Sequence, residues 1–414
     1  MKLLKRKINW SFIKYKMKLD KIFDSIENRS LFKNKQTLQS NYTPETIPHR
    51  DEQIENVASI LAPSLLGNKT SNLFIYGATG TGKTLSVQHV ANELSKRSIE
   101  SRILRIEYIN CKLKKVADTE YRILAELIKK LGGSVPATGL PTDQVYLKFL
   151  DILEKNDEKL LILVLDEIDQ AVKKIDDEFL YNLTRLNSEL NKKQIIIVGI
   201  SNDLRFLESL DPRVRSSLSE EEIVFPPYNA VQLQDILKKR AESAFKPKVV
   251  SEGVIAKCAA YAAREHGDAR RALDLLRVAG EIAERNSENK IKIEHIDFAN
   301  DKIERDKILD VVETGTKQFQ LVLYSILELV KKNKNSIFSG DIFNYYENLC
   351  RAVYIDCLTQ RRVSDIIAEL DMLGLISSRV ISKGRHGRMR EIKLAIPDNI
   401  KEKSEDILRS VLGV

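Results

Sequence analysis

Leu73-Phe74-Ile75-Tyr76-Gly77-Ala78-Thr79-Gly80-Thr81-Gly82-Lys83-Thr84 is the stretch that decides the architecture. Its first four residues form an unbroken apolar run, its last eight fit G-x-x-x-x-G-K-[ST], and a helical pattern runs on from Lys83. A strand, a glycine-rich turn and a helix, in that order, surround a phosphate with backbone N–H groups and a helix N-terminus. On that geometry Lys83 neutralises the β- and γ-phosphates of a nucleoside triphosphate, and the Thr84 hydroxyl ligates Mg²⁺.

Working outward, Leu161–Leu165 is a second apolar run that ends in Asp166-Glu167. A buried strand of this kind delivers both carboxylates to its C-terminal end, where open α/β sheets place ligands. Asp166 is expected to hold Mg²⁺, directly or through water, and Glu167 to polarise an attacking water. Asp169 reads as a helix cap. A third run, Ile195–Ile200, ends in Ser201-Asn202-Asp203, which either meets the γ-phosphate or simply forms a turn. With Ile103–Ile109, these apolar runs predict a parallel sheet with helices on both faces.

After Pro227 the strand signal stops and helical patterns follow at Val231–Phe245, Ser251–His266 and Asp268–Asn286, the last with Asp268 in N-cap position. Residues 313–317 read as a linker. Beyond it come three helices (Gln318–Lys332, Phe338–Leu349, Thr359–Leu373) and two strands (Ile376–Val380, Glu391–Ile396) around a basic turn. The expected fold class is thus an α/β P-loop core with a parallel sheet, an all-α domain, and a small C-terminal helical domain with a hairpin. The expected division is 1–28 basic extension, 29–228 core, 229–312 helical domain, 313–317 linker and 318–414 C-terminal domain.

Composition narrows the function classes. With 43% hydrophobic and 30% charged residues, the 414-residue chain has material for real cores. No apolar run approaches the ~20 residues of a membrane span, and residues 1–21 lack a leader's apolar segment. An intracellular protein in the cytoplasm, with no membrane partner, is expected. Four cysteines without C-x-x-C or paired histidine spacing predict neither a zinc site nor a disulfide framework. Six of the eight net positive charges lie in residues 1–16, which read either as a flexible arm or as a start-site artefact ahead of Met17. Net charge therefore does not by itself argue for nucleic acid.

Phosphate loop, Asp-Glu strand and a strand ending in Asn are followed by Asp211-Pro212-Arg213-Val214-Arg215 and Gly267-Asp268-Ala269-Arg270-Arg271. Together they resemble an AAA+ ATPase. Ile47-Pro48-His49-Arg50-Asp51-Glu52-Gln53, Val135–Asp143 and Glu220–Asn229 narrow the resemblance to archaeal replication initiators related to origin recognition complex subunit 1 and cell division control protein 6. It covers residues 29–397. The resemblance implies an AAA+ core, an α-helical lid and a C-terminal winged helix. Asn202 matches sensor 1, and Arg270 matches the sensor 2 arginine, with Arg271 as the alternative. Arg213, or less well Arg215, matches the finger that reaches a neighbouring subunit's nucleotide. Ile47, Pro48, His49 and Arg50 match the segment folded over adenine. ATP or ADP with Mg²⁺ are the implied cofactors.

The same resemblance implies double-stranded origin DNA, the replicative helicase and paralogous initiator subunits as partners. The polar first turn at Gln360, Arg361 and Arg362 is where a recognition helix meets a major groove. Lys383, Arg385, His386, Arg388 and Arg390 lie on or beside the turn between the last two strands, suited to phosphate or minor-groove contact. Thr138 and Gly139, beside Lys129 and Lys130, fall in the initiator-specific loop over 132–143. The function expected is a replication initiator that binds origin DNA under nucleotide control, hydrolyses ATP slowly and recruits the helicase. The alternatives are a DNA-binding regulator with little hydrolysis, or a clamp-loader-like ATPase with generic DNA contacts.

Overall fold

A computed structural model describes residues 30–40, 42–99, 102–112, 119–136, 139–218, 220–332, 337–382 and 388–413. The chain divides into two compact units, residues 1–296 and 297–414.

The first unit is built on five parallel strands: β1 (Asn72–Tyr76), β2 (Leu104–Asn110), β3 (Leu160–Asp166), β4 (Gln194–Ser201) and β5 (Glu220–Val224), in the order β2-β3-β4-β1-β5. Side chains alternate across a strand, so a run that is apolar throughout must be covered on both faces. That happens here. Leu161, Leu163 and Leu165 of β3 pack with Ile123, Phe149 and Leu183, which belong to helices α3 (Glu120–Lys130), α4 (Thr142–Lys155) and α6 (Glu178–Glu189). Leu160, Ile162 and Val164 face the other way, onto Val57 and Leu61 of α1 (Asp51–Leu61) and Val87 and Val90 of α2 (Lys83–Ser98). Burying each such side chain is worth about 1.5–3 kcal/mol. The fifth strand was not expected: three consecutive glutamates break its apolar run, and only Ile223 is buried, as suits a sheet edge.

Register then builds the site. Asn110 pairs with Asp166, Asp166 with Ile200, and Tyr76 with Ser201, so the polar residues ending three strands stand in one row at the C-terminal edge. Helices α5 (Ile168–Ile175) and α7 (Pro212–Leu218) follow β3 and β4. At the same edge stand α8 (Ala230–Ala244), opened by an Asn229–Gln232 capping box, and α10 (Ala269–Arg285), with α9 (Val254–Arg264) packed against both. Asp268 caps α10 as expected, accepting from the Arg270 and Arg271 amides at 2.7 and 3.3 Å. Residues 30–38, grouped by sequence with the core, pack instead on these helices: Leu31 N donates to Glu284 at 2.7 Å, and the Phe32 and Phe245 rings lie 4.7 Å apart.

Residues 313–317 hold the last two residues of α11 (Ile293–Thr314), a break at Gly315-Thr316 and the first residue of α12 (Lys317–Lys332). Buried Gln320 closes the break by donating to Val312 and Glu313 carbonyls, both at 3.0 Å. In the second unit α12 is the core element, with nearly every residue from Phe319 to Leu329 buried. Around it stand α13 (Ser339–Ala352), α14 (Gln360–Met372), α15 (Asp398–Leu412) and a sheet of order β6-β8-β7, formed by Ile337–Phe338, Arg388–Leu394 and Ile376–Ser382. Val363, Ile367 and Leu370 turn one face of α14 inward. No helix among the described residues is long and apolar enough to cross a membrane.

Candidate functional site: a phosphate loop beneath a helical lid

The loop Gly77–Gly82 leaves β1 and enters α2 with Gly80 and Gly82 at φ 72° and 91°, the left-handed region that favours glycine. Gly80 is constrained from above as well. A Cβ there would stand 1.7 Å from Asp268 Oδ1, and the Ala269 amide donates to the Gly80 carbonyl at 3.3 Å. The lid helix thus caps the loop.

Lys83 is 5% exposed. Its ammonium donates to the Gly77 and Ala78 carbonyls at 2.8 and 2.9 Å and to Asn202 Oδ1 at 2.9 Å. Burial pulls its pKa down to about 8; nearby Asp166 opposes the shift and Arg270 adds to it. The Thr84 hydroxyl lies 3.3 and 3.1 Å from the two Asp166 oxygens. Tyr108, on β2, donates its hydroxyl to the same carboxylate, and burial, with Asp166 beside it, holds the phenol protonated well above its usual range.

Glu167 sits at φ 55°, ψ 44°, a left-handed position for a non-glycine residue that costs about 1–3 kcal/mol. The turn brings Glu167 to the cavity wall, and Lys112 Nζ, on a largely exposed side chain, lies 3.5 Å from its carboxylate. Asp169 is not a helix cap. It is the second residue of α5, after the N-cap Glu167, and its Oδ1 accepts from the Ser201 hydroxyl at 3.3 Å and the Asn202 backbone amide at 3.4 Å. It ties the end of β4 to the Asp-Glu turn.

These groups surround a cavity of about 820 Å³. Of the residues singled out in the sequence, Ile47, Pro48, Thr79, Gly80, Thr81, Gly82, Lys83, Thr84, Asp166, Glu167, Asn202 and Arg270 line it. Gly77 and Ala78 contribute instead as acceptors for Lys83. Arg271 turns aside to Glu265, 3.1 Å away. His49 and Arg50 do not line the cavity. His49 pairs with Asp235 at 3.2 Å. Arg50 is 2% exposed and donates to Thr81 O (2.7 Å), Pro226 O (2.5 Å) and His49 O (3.0 Å) while stacking 3.8 Å from the Tyr228 ring centroid. Its planar fork braces the phosphate loop from behind. Exposed Arg213 stands outside the cavity, held by Asp211 at 3.1 and 3.3 Å.

Tyr108, Lys112 and Asn110 escaped the sequence reading, and Asp169 was read only as a helix cap. The polar end of β2 beside Asp166 was the signal available for Asn110 and Tyr108.

Gln360, Arg361 and Arg362 are exposed on the first turn of α14, whose N-cap Thr359 accepts from the Arg362 amide. Arg390 is part-buried, and its Nη1 donates to Ser364 O at 3.4 Å, which anchors the hairpin to α14. Lys383, Arg385, His386 and Thr138 lie outside the described residues, as does the Arg388 side chain. Gly139 has open space around it. Lys129 and Lys130 stand near Glu126 and Glu107, each at 3.9 Å.

Comparison with known proteins agrees with this architecture. Residues 46–198 match the AAA ATPase domain, 234–301 the Cdc6 AAA+ ATPase-type lid domain, and 310–403 the CDC6 C-terminal winged helix domain. The ORC1-type DNA replication protein of Pyrococcus furiosus is 50% identical over 388 residues, 92% of this chain and 91% of that one. ORC1-type DNA replication protein 1 of Archaeoglobus fulgidus is 51% identical over 385 residues, 92% and 93% of the two chains. The Aeropyrum pernix ORC1 protein, solved in complex with DNA, superposes with a TM-score of 0.82 at 42% identity, covering 92% of this chain and 97% of that one. An AAA+ core, a Cdc6-type lid, a winged helix and relatives of this identity along nine-tenths of the chain place it in one group: the chain belongs to the ORC1-type DNA replication protein family.

Proposed function

We propose that this protein is a replication initiator that binds duplex origin DNA through its winged helix, under the control of ATP or ADP held between core and lid. The carrying observation is the convergence of Lys83, Asp166, Glu167, Asn202 and Arg270 on one cavity. The likeness to a relative solved with DNA supports the DNA half of the reading. In this reading Lys83 and the loop amides bind phosphates, Asn202 and Arg270 bracket the γ-phosphate, and Glu167 accepts the proton of the attacking water.

Thr84 and Asp166 suit Mg²⁺. Both offer hard oxygen donors, they already lie within 3.3 Å of each other, and a phosphate-loop magnesium takes few protein ligands beside phosphate and water. Bound there, the ion neutralises charge on the transferred phosphate.

Lys112, 3.5 Å from Glu167, supports the reading of slow hydrolysis. Glu167 must leave that ammonium before it can take a proton from water. Recruitment of the replicative helicase, contact between Arg213 and a neighbouring initiator's nucleotide, and DNA contact by the 132–143 loop and by Lys129, Lys130 and Gly139 complete the proposal. Gln360, Arg361 and Arg362 read the major groove, and the basic hairpin turn contacts phosphates.

The test is selection of bound genomic fragments in ATP and in ADP, with Lys83→Ala and Glu167→Gln beside the unaltered chain. Enrichment of one locus, dependent on nucleotide, is expected. Lys83→Ala loses that dependence, while Glu167→Gln binds ATP and hydrolyses it 10²–10⁴-fold more slowly. Uniform recovery of random fragments would overturn the origin reading.

A further inference from the structure

The two ends of Tyr108 do different things. Its ring packs on the apolar layer that α2 covers, across from Val164, its pairing partner on β3. Its hydroxyl reaches the wall of the cavity and donates to Asp166 Oδ2. A phenylalanine would fill the same place in the apolar layer. Packing therefore accounts for the ring and not for the hydroxyl.

The hydroxyl meets the side chains of Asp166 and Thr84, the two that offer oxygens suited to Mg²⁺. Burial, with the Asp166 charge beside it, keeps the phenol protonated. Tyr108 thus faces the carboxylate as a donor, with its one proton spent there. The other oxygen, Oδ1, accepts from the Glu167 backbone amide at 3.0 Å.

One donor on each oxygen fixes the plane of a carboxylate. Left to itself, the terminal torsion of an aspartate is broad. Here one restraint comes from the chain's own turn and the other from the neighbouring strand. Each carboxylate oxygen has two lone-pair sites, so donation by Tyr108 still leaves one on Oδ2 for a cation. Outer hydrogen bonds of this kind orient metal ligands.

We propose that Tyr108 is a positioning residue whose hydroxyl holds the Asp166 carboxylate in the plane that a nucleotide's divalent cation requires. The proposal rests on the reading of this cavity as an ATP site. It gives β2 a part in metal binding that the phosphate loop and the Asp-Glu strand do not carry alone.

The experiment loads the chain with ADP, so that no turnover intervenes, and measures the affinity for Mn²⁺. That ion takes the same oxygen ligands, and its free form is counted by electron paramagnetic resonance. The unaltered chain is compared with Tyr108→Phe, Asp166→Asn and the double variant. Tyr108→Phe should bind Mn²⁺ about ten- to a hundredfold more weakly, the usual cost of removing an outer partner of a metal ligand. That loss should exceed any change in ADP affinity measured in EDTA. In the double variant the Tyr108 change should add little to the loss from Asp166→Asn, since its effect passes through that carboxylate. Should Tyr108→Phe fold poorly, 3-fluorotyrosine at position 108 keeps both ring and hydroxyl, and Mg²⁺ added to the ADP-loaded chain should move its fluorine resonance. A loss of Mn²⁺ affinity below about tenfold in folded Tyr108→Phe overturns the proposal, as does one matched by the ADP affinity in EDTA. Full additivity with Asp166→Asn, or an unmoved fluorine resonance, overturns it equally. Failure of the unaltered chain to bind ADP defeats the nucleotide reading instead, so the two failures are distinguishable.

Discussion

Replacing Arg50 separates two roles, because a residue that touches nucleotide and one that braces the loop fail differently. In the structure Arg50 is buried and joins three stretches of chain, through Thr81, Pro226 and His49 carbonyls, while stacking on Tyr228. Removing the guanidinium leaves the Thr81 and Pro226 carbonyls without this donor, about 1–3 kcal/mol each, and forfeits a stacking contact of ~1–2 kcal/mol. Relief from burying a charge offsets part of this. Arg50→Met should therefore destabilise the first unit by about 2–4 kcal/mol, a drop of roughly 5–15 °C in melting temperature. Arg50→Lys keeps the charge but cannot reach three carbonyls with one ammonium, and should be no more stable than Met. The assay is thermal unfolding by far-UV circular dichroism, with ATP affinity measured in parallel well below the transition. ATP affinity should weaken modestly and in step with stability in both variants. If Arg50→Lys melts like the unaltered chain while ATP binding falls more than tenfold, Arg50 touches the nucleotide and the bracing role is wrong.

Four other outcomes follow. Lys112→Ala frees Glu167 and should raise the single-turnover hydrolysis rate several-fold with ATP affinity little changed; an unaltered or lower rate would remove Lys112 as a restraint. Asp169→Asn weakens the tie to Ser201 and Asn202 and should slow hydrolysis at least tenfold at a cost of about 1–2 kcal/mol, read by turnover together with urea unfolding; full activity would show that β4 needs no such anchor. Burial pushes Cys258 up to about 12, so at pH 8 a thiol reagent should modify exposed Cys357 at once and Cys258 only on unfolding; peptide mass spectrometry checks the order, and rapid native labelling of Cys258 would contradict the packing. Arg385→Ala with Arg388→Ala should lower the salt slope of duplex binding by about two, equally on origin and scrambled DNA; an unchanged slope would take the hairpin turn out of DNA contact.

What could be read from the sequence follows the strength of each physical signal. β1, β3 and β4 announce themselves because burial on both faces demands unbroken apolar runs, and the phosphate loop because phosphate binding demands glycines and a lysine at fixed spacing. β5 does not, since an edge strand beside solvent tolerates Glu220-Glu221-Glu222, and two-residue β6 is too short to carry a period. Lys83, Thr84, Asp166, Glu167 and Asn202 were all legible as strand ends and loop positions. Arg50 was placed with the nucleotide by the resemblance of its segment to the one folded over adenine, and sequence does not show its burial; the acceptors that claim it come from residues 31 and 176 positions away. Tyr108 and Asp169 act through partners 58 and 32 residues distant, a proximity that only sheet register creates. Lys112 is one lysine among several at 112–115 until the Glu167 turn brings a carboxylate to it.

The three contacts of Lys83 have a further consequence. An ammonium has three protons, and Gly77, Ala78 and Asn202 take all three. A phosphate oxygen that reaches Nζ therefore enters by substitution, with no gain in the number of bonds, and the driving force is the exchange of a neutral acceptor for an anionic one. Two of the acceptors are carbonyls of a short loop braced by Arg50 and cannot easily retreat. The third is an amide on a side chain that can rotate. Asn202 is then the leaving partner, and its release is the local signature that a phosphate has arrived. The backbone amide of the same residue stays with Asp169 at 3.4 Å, so the side chain can turn away while the end of β4 keeps its tie to the Asp-Glu turn.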